Sequence, residues 1–333
     1  MKAMILSEVQ PVESGPLRMM DLPEPAPGPR EILVKVAVCG VCHTELDEIE
    51  GRIQPKLPVI LGHEIVGKVS ALGPGARTFR LGDRVGIGWI HSSCGKCVFC
   101  KRGEENLCDA FKATGCHSNG GYAEYTVAPE NSAYRIPRRF SDPEAAPLLC
   151  AGAIGYRDLR LCGMKKGQTL GLFGFGASAH IVIQLARYSG YKVFVFTRGG
   201  EHRKLAEKLG ASWTGGPEDK PPEKLRCAID FTPVGETVPR ALCLLERGGR
   251  LVIAVIRKRN PIPPMDYAAL LWDEKEIKSV ANITREDFRD FLPLAAKIPI
   301  IPEVEEFELG EANRALLLLK QGKIRGAGVL RIE

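Results

Sequence analysis

Residues 94–108, CGKCVFCKRGEENLC, constrain this chain more than any other stretch, because they set Cys94, Cys97, Cys100 and Cys108 at C-x2-C-x2-C-x7-C. Four thiolates so close in sequence can close a tetrahedron around one metal ion. Such a site has no open position, so it stabilises a loop and catalyses nothing. Zinc is the expected ion, and an iron–sulfur cluster is the alternative that the spacing leaves open. The chain has 11 cysteines, an odd number, and several sit in local clusters with histidine. That pattern favours metal thiolates over a disulfide scaffold.

Around this loop, residues 1 to about 148 carry short alternating segments, EILVKVAVCG, IVGKVSALG, RVGIGWI and YAEYTVAP, separated by Gly, Pro and Asp turns. They predict a β-rich, partly closed sheet. From about residue 150 the pattern changes to strand, turn, helix, strand: QTLGLF, GFGASA, HIVIQLARYSG, KVFVF, then LRCAIDF, ETVPRALCLLERGG and RLVIAVI. Strands that alternate with helices predict a parallel, doubly wound sheet and an α/β fold class. The final stretch, EVEEFELGEANRALLLLKQGKIRGAGVLRIE, reads as strand, amphipathic helix and strand, a tail that could return to the first domain.

Three dispersed segments hold a second set of metal-binding types: CGVCHTEL at 39–46, GHE at 62–64 and APLLCAG at 146–152. Together they supply Cys42, His63 and Cys150. A Cys2His set on zinc leaves the fourth position for water or a substrate oxygen, so this group could catalyse.

Taken in order, CGVCHTEL, GHEIVGKVSALGPGARTFRLGDRVG, the four-cysteine loop, GGYAEYTV, EAAPLLCAG and LFGFGASAH resemble the zinc-containing alcohol dehydrogenases of the medium-chain dehydrogenase/reductase superfamily, from about residue 30 to the C-terminus. The resemblance implies a GroES-like catalytic domain at 1–150, completed by a return at about 295–333, and a Rossmann domain at 151–294, with the active site in the cleft between them. It implies two zinc ions per chain. Cys42, His63 and Cys150 would hold the catalytic one, and Glu64 matches an acid that lies close behind the metal and can exchange onto it. Cys94, Cys97, Cys100 and Cys108 would hold the structural one. Thr44 matches the hydroxyl that receives the substrate proton, His43 a basic position near the cofactor pyrophosphate, and Trp89 an aromatic of the substrate pocket. Zinc would polarise the substrate oxygen so that hydride can leave or reach the carbon. Three positions depart from the family pattern: Asp47 stands where many relatives place a relay histidine, Ile154 replaces a threonine near the nicotinamide, and the acid after Thr44 is the longer Glu45.

Gly174, Gly176 and Ala179 form G-x-G-x-x-A directly after a predicted strand and at the start of a predicted helix, the dinucleotide-binding arrangement. Its glycines let the backbone approach a pyrophosphate, and the helix N-terminus offers unpaired N–H groups. Arg325 matches a C-terminal arginine that meets the pyrophosphate in relatives. The next strand, KVFVF, ends on Thr197 and Arg198, where NAD enzymes usually carry Asp or Glu. Thr197 can hydrogen-bond a 2′-phosphate and Arg198 can pair with it, with Arg203 one helical turn further on. NADP(H) is therefore the expected cofactor, with NAD(H) as the alternative.

Other classes fit less well. The formal charge is only +6 and no block of five or six basic residues occurs, which argues against a zinc-ribbon protein that binds nucleic acid. No apolar run approaches the 18 or so residues of a membrane span, and the N-terminus lacks the long apolar core of a signal peptide. The expectation is a cytoplasmic enzyme that acts on a small alcohol or aldehyde, as a homotetramer or homodimer by family precedent. A cinnamyl-type aldehyde reductase is the nearest rival within the superfamily.

Overall fold

A computed structural model describes residues 1–332. The chain divides into two compact units: Met1–Cys150 with Ile283–Ala296 and the segment from Ile301 onward, and Ala151–Asn282 with Lys297–Ile300.

The first unit is built on a mostly antiparallel sheet. Its spine is β1 (Glu31–Val41), a strand rich in Val and Ile, which pairs with β2 (Ile65–Leu72). β3 (Arg84–Ile87) pairs with β2, β4 (Tyr125–Pro129) with β1, and β5 (Ala133–Arg135) with β3. Register shifts at Leu33/Val34 and Val36/Val38 interrupt the ladder between β1 and β2. Bulges of that kind bend a strand and sharpen its twist. The far end of β1, from Val38 to Val41, is then free to pair with the returning strand Ala327–Arg331, which in turn lies parallel to Val304–Glu308. The C-terminal tail thus completes this sheet.

That return begins at Ile283, earlier than the expected break near 295. The helix Arg285–Lys297 turns Phe288, Phe291 and Leu292 inward. The Phe288 ring fills the space beside Gly88, where an added Cβ would stand 2.3 Å from Phe288 Cζ, and it packs on Tyr134 with ring centroids 4.3 Å apart. Arg285 donates its backbone N–H to Glu105 Oε1 at 2.8 Å. Both contacts hold the helix to the first unit.

The second unit is a six-stranded parallel sheet: β6 (Thr169–Phe173), β7 (Lys192–Phe196), β8 (Trp213–Gly215), β9 (Leu225–Asp230), β10 (Leu245–Ile253) and β11 (Glu276–Ser279), in the order β8-β7-β6-β9-β10-β11. All five residues of the first strand, β6, are buried, as expected of a central parallel strand. The chain moves outward from β6 to β8 and then crosses to β9, so strand order reverses between β6 and β9. Their carboxyl ends form the crevice in which Rossmann sheets bind dinucleotides. Helices α2 (Ala151–Cys162) and α3 (Ala177–Tyr188) pack closely, helped by Gly155, where a Cβ would stand 2.3 Å from Val182 Cγ2.

Candidate active site and cofactor-binding residues

The glycine turn leads into helix α3 of the second unit, whereas the dispersed metal set lies wholly in the first unit. Cys42 ends the turn after β1 and caps helix α1 (His43–Ile49), His63 and Glu64 precede β2, and Cys150 closes the segment that leads out of the unit. Donor atoms of Cys42, His63, Glu64 and Cys150 all lie within 4.8 Å of one another. The sulfurs of Cys42 and Cys150 are 3.8 Å apart. Two sulfurs bound at about 2.3 Å to one tetrahedral zinc stand about 3.8 Å apart, so the spacing fits a shared ion.

Glu45 holds this group in place. Its Oε2 accepts the Cys42 N–H at 2.8 Å, while its Oε1 stands 2.6 Å from His63 Nδ1, both side chains being fully enclosed. With Nδ1 turned to a carboxylate, Nε2 is the nitrogen left for a ligand, the usual arrangement behind a metal-bound histidine. Gly40 makes room for Glu64, since a Cβ there would stand 2.2 Å from Glu64 Oε2.

The electrostatics point the same way. The neighbouring Cys150 thiol pulls Cys42 well below the usual thiol range against the opposing effect of burial, and Cys42 in turn pushes Cys150 well above it. Burial and the Cys42 charge push Glu64 up as well. A divalent cation is what lets both sulfurs ionise in one buried place.

Thr44 Oγ1 lies 3.6 Å from Cys42 Sγ, which puts its hydroxyl beside the metal set. Asp47 is nearly buried and its Oδ1 accepts from Arg52 Nε at 2.6 Å. The indole of Trp89 meets His63 edge-on, ring centroids 5.0 Å apart. Trp89 packs with Ala113, Cys116, Ile53 and Phe111, so the loop after α1 closes on it through Ile53. Ile154, half-buried, lies on α2 in the second unit. His43, at the start of α1, is exposed.

Glu48 was not foreseen. It is completely buried one turn after Glu45 and faces the Cys116 thiol. The i, i+3 spacing of Glu45 and Glu48 on one helix face was the available signal.

The four-cysteine loop forms the second donor set, with all four sulfurs within 4.8 Å of one another and Cys94 and Cys100 Sγ 3.9 Å apart. Backbone N–H groups of Cys94, Cys97 and Cys100 each reach a neighbouring sulfur at 3.4 Å. Such bonds favour thiolates, and those from Lys96 and Cys97 lead the effects that bring Cys94 down to about 6.

In the second unit Gly174 follows β6 with φ +85°, a conformation that favours glycine. A Cβ on Gly176 would meet nothing within 4 Å, so open space faces that backbone, and Ala179 is fully buried on α3. This is the cradle that a pyrophosphate needs. Thr197 is nearly buried at the end of β7 and Arg198 beyond it is exposed. Arg203, on helix α4 (Gly200–Lys208), donates Nε to the Thr197 carbonyl at 3.0 Å. Arg325 lies in the first unit, 70% exposed and bonded to Glu303 at 2.8 Å.

Residues 28–138 match the alcohol dehydrogenase GroES-like domain and residues 179–297 the zinc-binding dehydrogenase family. The chain is 46% identical to a probable alcohol dehydrogenase, AdhA, of Mycobacterium tuberculosis, over 97% of this chain and 94% of the relative. Among solved structures, an NAD-dependent alcohol dehydrogenase superposes with a TM-score of 0.92 at 25% identity, over the full length of both chains. A zinc-binding dehydrogenase of Sinorhizobium meliloti bound to NADP superposes with a TM-score of 0.88 at 28% identity, covering 99% of each chain. With two thiol-rich donor sets in one unit and a parallel nucleotide-binding sheet in the other, this chain belongs to the zinc-containing alcohol dehydrogenases of the medium-chain dehydrogenase/reductase superfamily.

Proposed function

We propose that the enzyme is an NADP(H)-preferring dehydrogenase of primary or secondary alcohols that uses Cys42, His63 and Cys150 as ligands of its catalytic zinc. The observation that carries this reading is the convergence of those donors within 4.8 Å, with Glu45 behind His63. Cys94, Cys97, Cys100 and Cys108 hold the second zinc. When bound, zinc supplies a Lewis acid for the substrate oxygen and the nicotinamide exchanges hydride with the substrate carbon. The chain supplies the rest. Thr44 Oγ1 takes the hydroxyl proton during oxidation and returns it during reduction, with Asp47 or solvent as the outer end of the relay. Glu64 stands close enough to exchange onto the metal. Trp89, with Ile53 and Phe111 packed on it, forms an apolar wall that orients the substrate carbon, and Ile154 gives the nicotinamide side an apolar contact.

The cofactor preference rests on Thr197 and Arg198. An acid at the end of β7 would repel a 2′-phosphate, whereas this pair binds one, with Arg203 adding charge. Gly174, Gly176 and Ala179 cradle the pyrophosphate. Two copies pair through the edge of the second sheet, into a homodimer or homotetramer: every residue of β11 is exposed, and Tyr267 and Trp272, which precede it in the sequence, are 61% and 67% exposed.

Metal analysis with parallel NADPH and NADH assays over a panel of aldehydes tests the proposal. Two zinc ions per chain and faster turnover with NADPH are expected. Fewer than one zinc per chain, or no oxidation of either cofactor, overturns it. Thr197→Asp combined with Arg198→Ala is expected to shift the NADPH/NADH ratio of kcat/KM towards NADH by about 10²-fold, the loss of two charge-assisted contacts.

A further inference from the structure

We propose that His202 is a specificity residue that reads the 2′ position of the adenosine ribose through its Nε2 atom. This rests on the nucleotide site proposed above and adds a residue to it. The ring of His202, half-buried on the first turn of α4, hydrogen-bonds through Nδ1 to the carbonyl oxygen of Phe175, the residue between Gly174 and Gly176. Its Cδ2 edge lies over Gly199, 3.5 Å from where a Cβ on that residue would stand. The imidazole therefore spans the two backbone segments, the glycine turn and the bend after β7, that bracket the ribose in a Rossmann unit.

The Phe175 contact fixes the chemistry of the other nitrogen. A carbonyl oxygen only accepts, so Nδ1 carries the hydrogen whether or not the ring is charged. Protonation then acts at Nε2 alone. Neutral His202 presents a lone pair there, which accepts from the 2′-hydroxyl of NAD(H). Charged His202 presents N–H, which donates to the 2′-phosphate of NADP(H) and adds a positive charge beside it.

The surrounding side chains leave an arriving phosphate as the anion that would favour the charged ring. Arg198 is exposed and already available, while the Arg203 Nε is committed to Thr197 O. Glu201 is paired with Lys204 at 2.9 Å, and Asp219, after β8, accepts the Gly216 N–H at 2.7 Å. A bound 2′-phosphate dianion favours the charged form of an imidazole beside it.

The test is calorimetry of NADP+ and NAD+ binding to the zinc-loaded enzyme in two buffers of different ionisation enthalpy, together with kcat/KM for NADPH and NADH. His202→Asn is the informative variant, because its amide keeps a donor near the Nδ1 position and removes Nε2. His202→Arg, with a fixed charge, is the second. In the wild type, NADP+ binding takes up a proton and NAD+ binding takes up none. In His202→Asn the uptake disappears and the NADPH/NADH ratio falls about tenfold, the loss of one charge-assisted bond. His202→Arg also takes up no proton but keeps the NADPH efficiency. Proton uptake that persists in His202→Asn, or equal losses with both cofactors, overturns the role of His202. A wild type that prefers NADH overturns the NADP(H) preference instead, and a ratio that still moves in His202→Asn then leaves the role of His202 standing.

Discussion

The two cysteine-bearing sites of the first unit use the same chemistry for opposite ends. The four-cysteine loop draws all its donors from residues 94–108, and three of its four cysteines are only half-buried. The dispersed set draws Cys42, His63 and Cys150 from segments far apart in sequence, and it is enclosed by three buried acids, Glu45, Glu48 and Glu64. A closed set of four thiolates can only hold the chain together, whereas three ligands and one exchangeable acid leave a position for chemistry. Spacing in sequence therefore separates a closed donor set from one that can stay open.

The largest effect should come from exchanging the sites' fates. Cys150→Ala is expected to lower kcat/KM by about 10³-fold or more, the order of a lost metal ligand, while circular dichroism and Tm stay near the wild type. Cys97→Ala should do the reverse, lowering Tm by on the order of 10 °C because metal binding there is folding free energy, with residual activity in the fraction that stays folded. Equal thermal losses in both variants would erase the distinction.

A smaller effect tests the support behind the reaction centre. Glu45→Gln keeps the size of the side chain but removes the charge that faces His63 Nδ1. Zinc affinity or kcat/KM should drop 10- to 100-fold, roughly the usual cost of losing an outer partner of a metal-bound histidine. The structural zinc should be retained in full, as zinc content per chain will report.

Trp89→Ala comes next. It opens the apolar wall beside His63, and kcat/KM for the smallest alcohols should fall about tenfold while bulkier alcohols gain. A uniform change across the series would place Trp89 in the framework and not in the pocket.

Much of this arrangement was legible in the sequence. Local signals carry far: a cysteine loop needs only its own spacing, and the strand, turn and helix around Gly174 announce a parallel nucleotide-binding sheet. What depends on distant partners was less legible. The periodicity of Arg285–Lys297 says that Phe288 and Phe291 are buried, but not that the space beside Gly88 receives Phe288, so the return to the first unit was placed too late. His202 reads as one more polar residue on an exposed helix until the Phe175 carbonyl is seen beside it. Glu48 looks like a solvated helix residue because sequence does not reveal that both Glu45 and Glu48 face inward.

Glu48 also gives the finest comparison, between two acids on one helix face. Glu45 touches His63 and works as a charge, whereas Glu48 faces the Cys116 thiol, which burial pushes up to about 12. Burial and then the charge of Glu45 push Glu48 well above the usual carboxylate range. The fold therefore favours the neutral form of Glu48 more than the unfolded chain does. A carboxyl with a raised folded value stabilises most fully below the unfolded value and loses that contribution as pH rises, until the folded group ionises too. Glu48→Gln, which is neutral in both states, removes the loss. The stability of the variant relative to wild type should match at about pH 4 and then grow by up to about 1.4 kcal/mol per pH unit towards neutrality, as measured by urea unfolding of the zinc-loaded protein. A difference that stays flat with pH would mean that Glu48 is charged in the fold, and that its oxygens have found a cation.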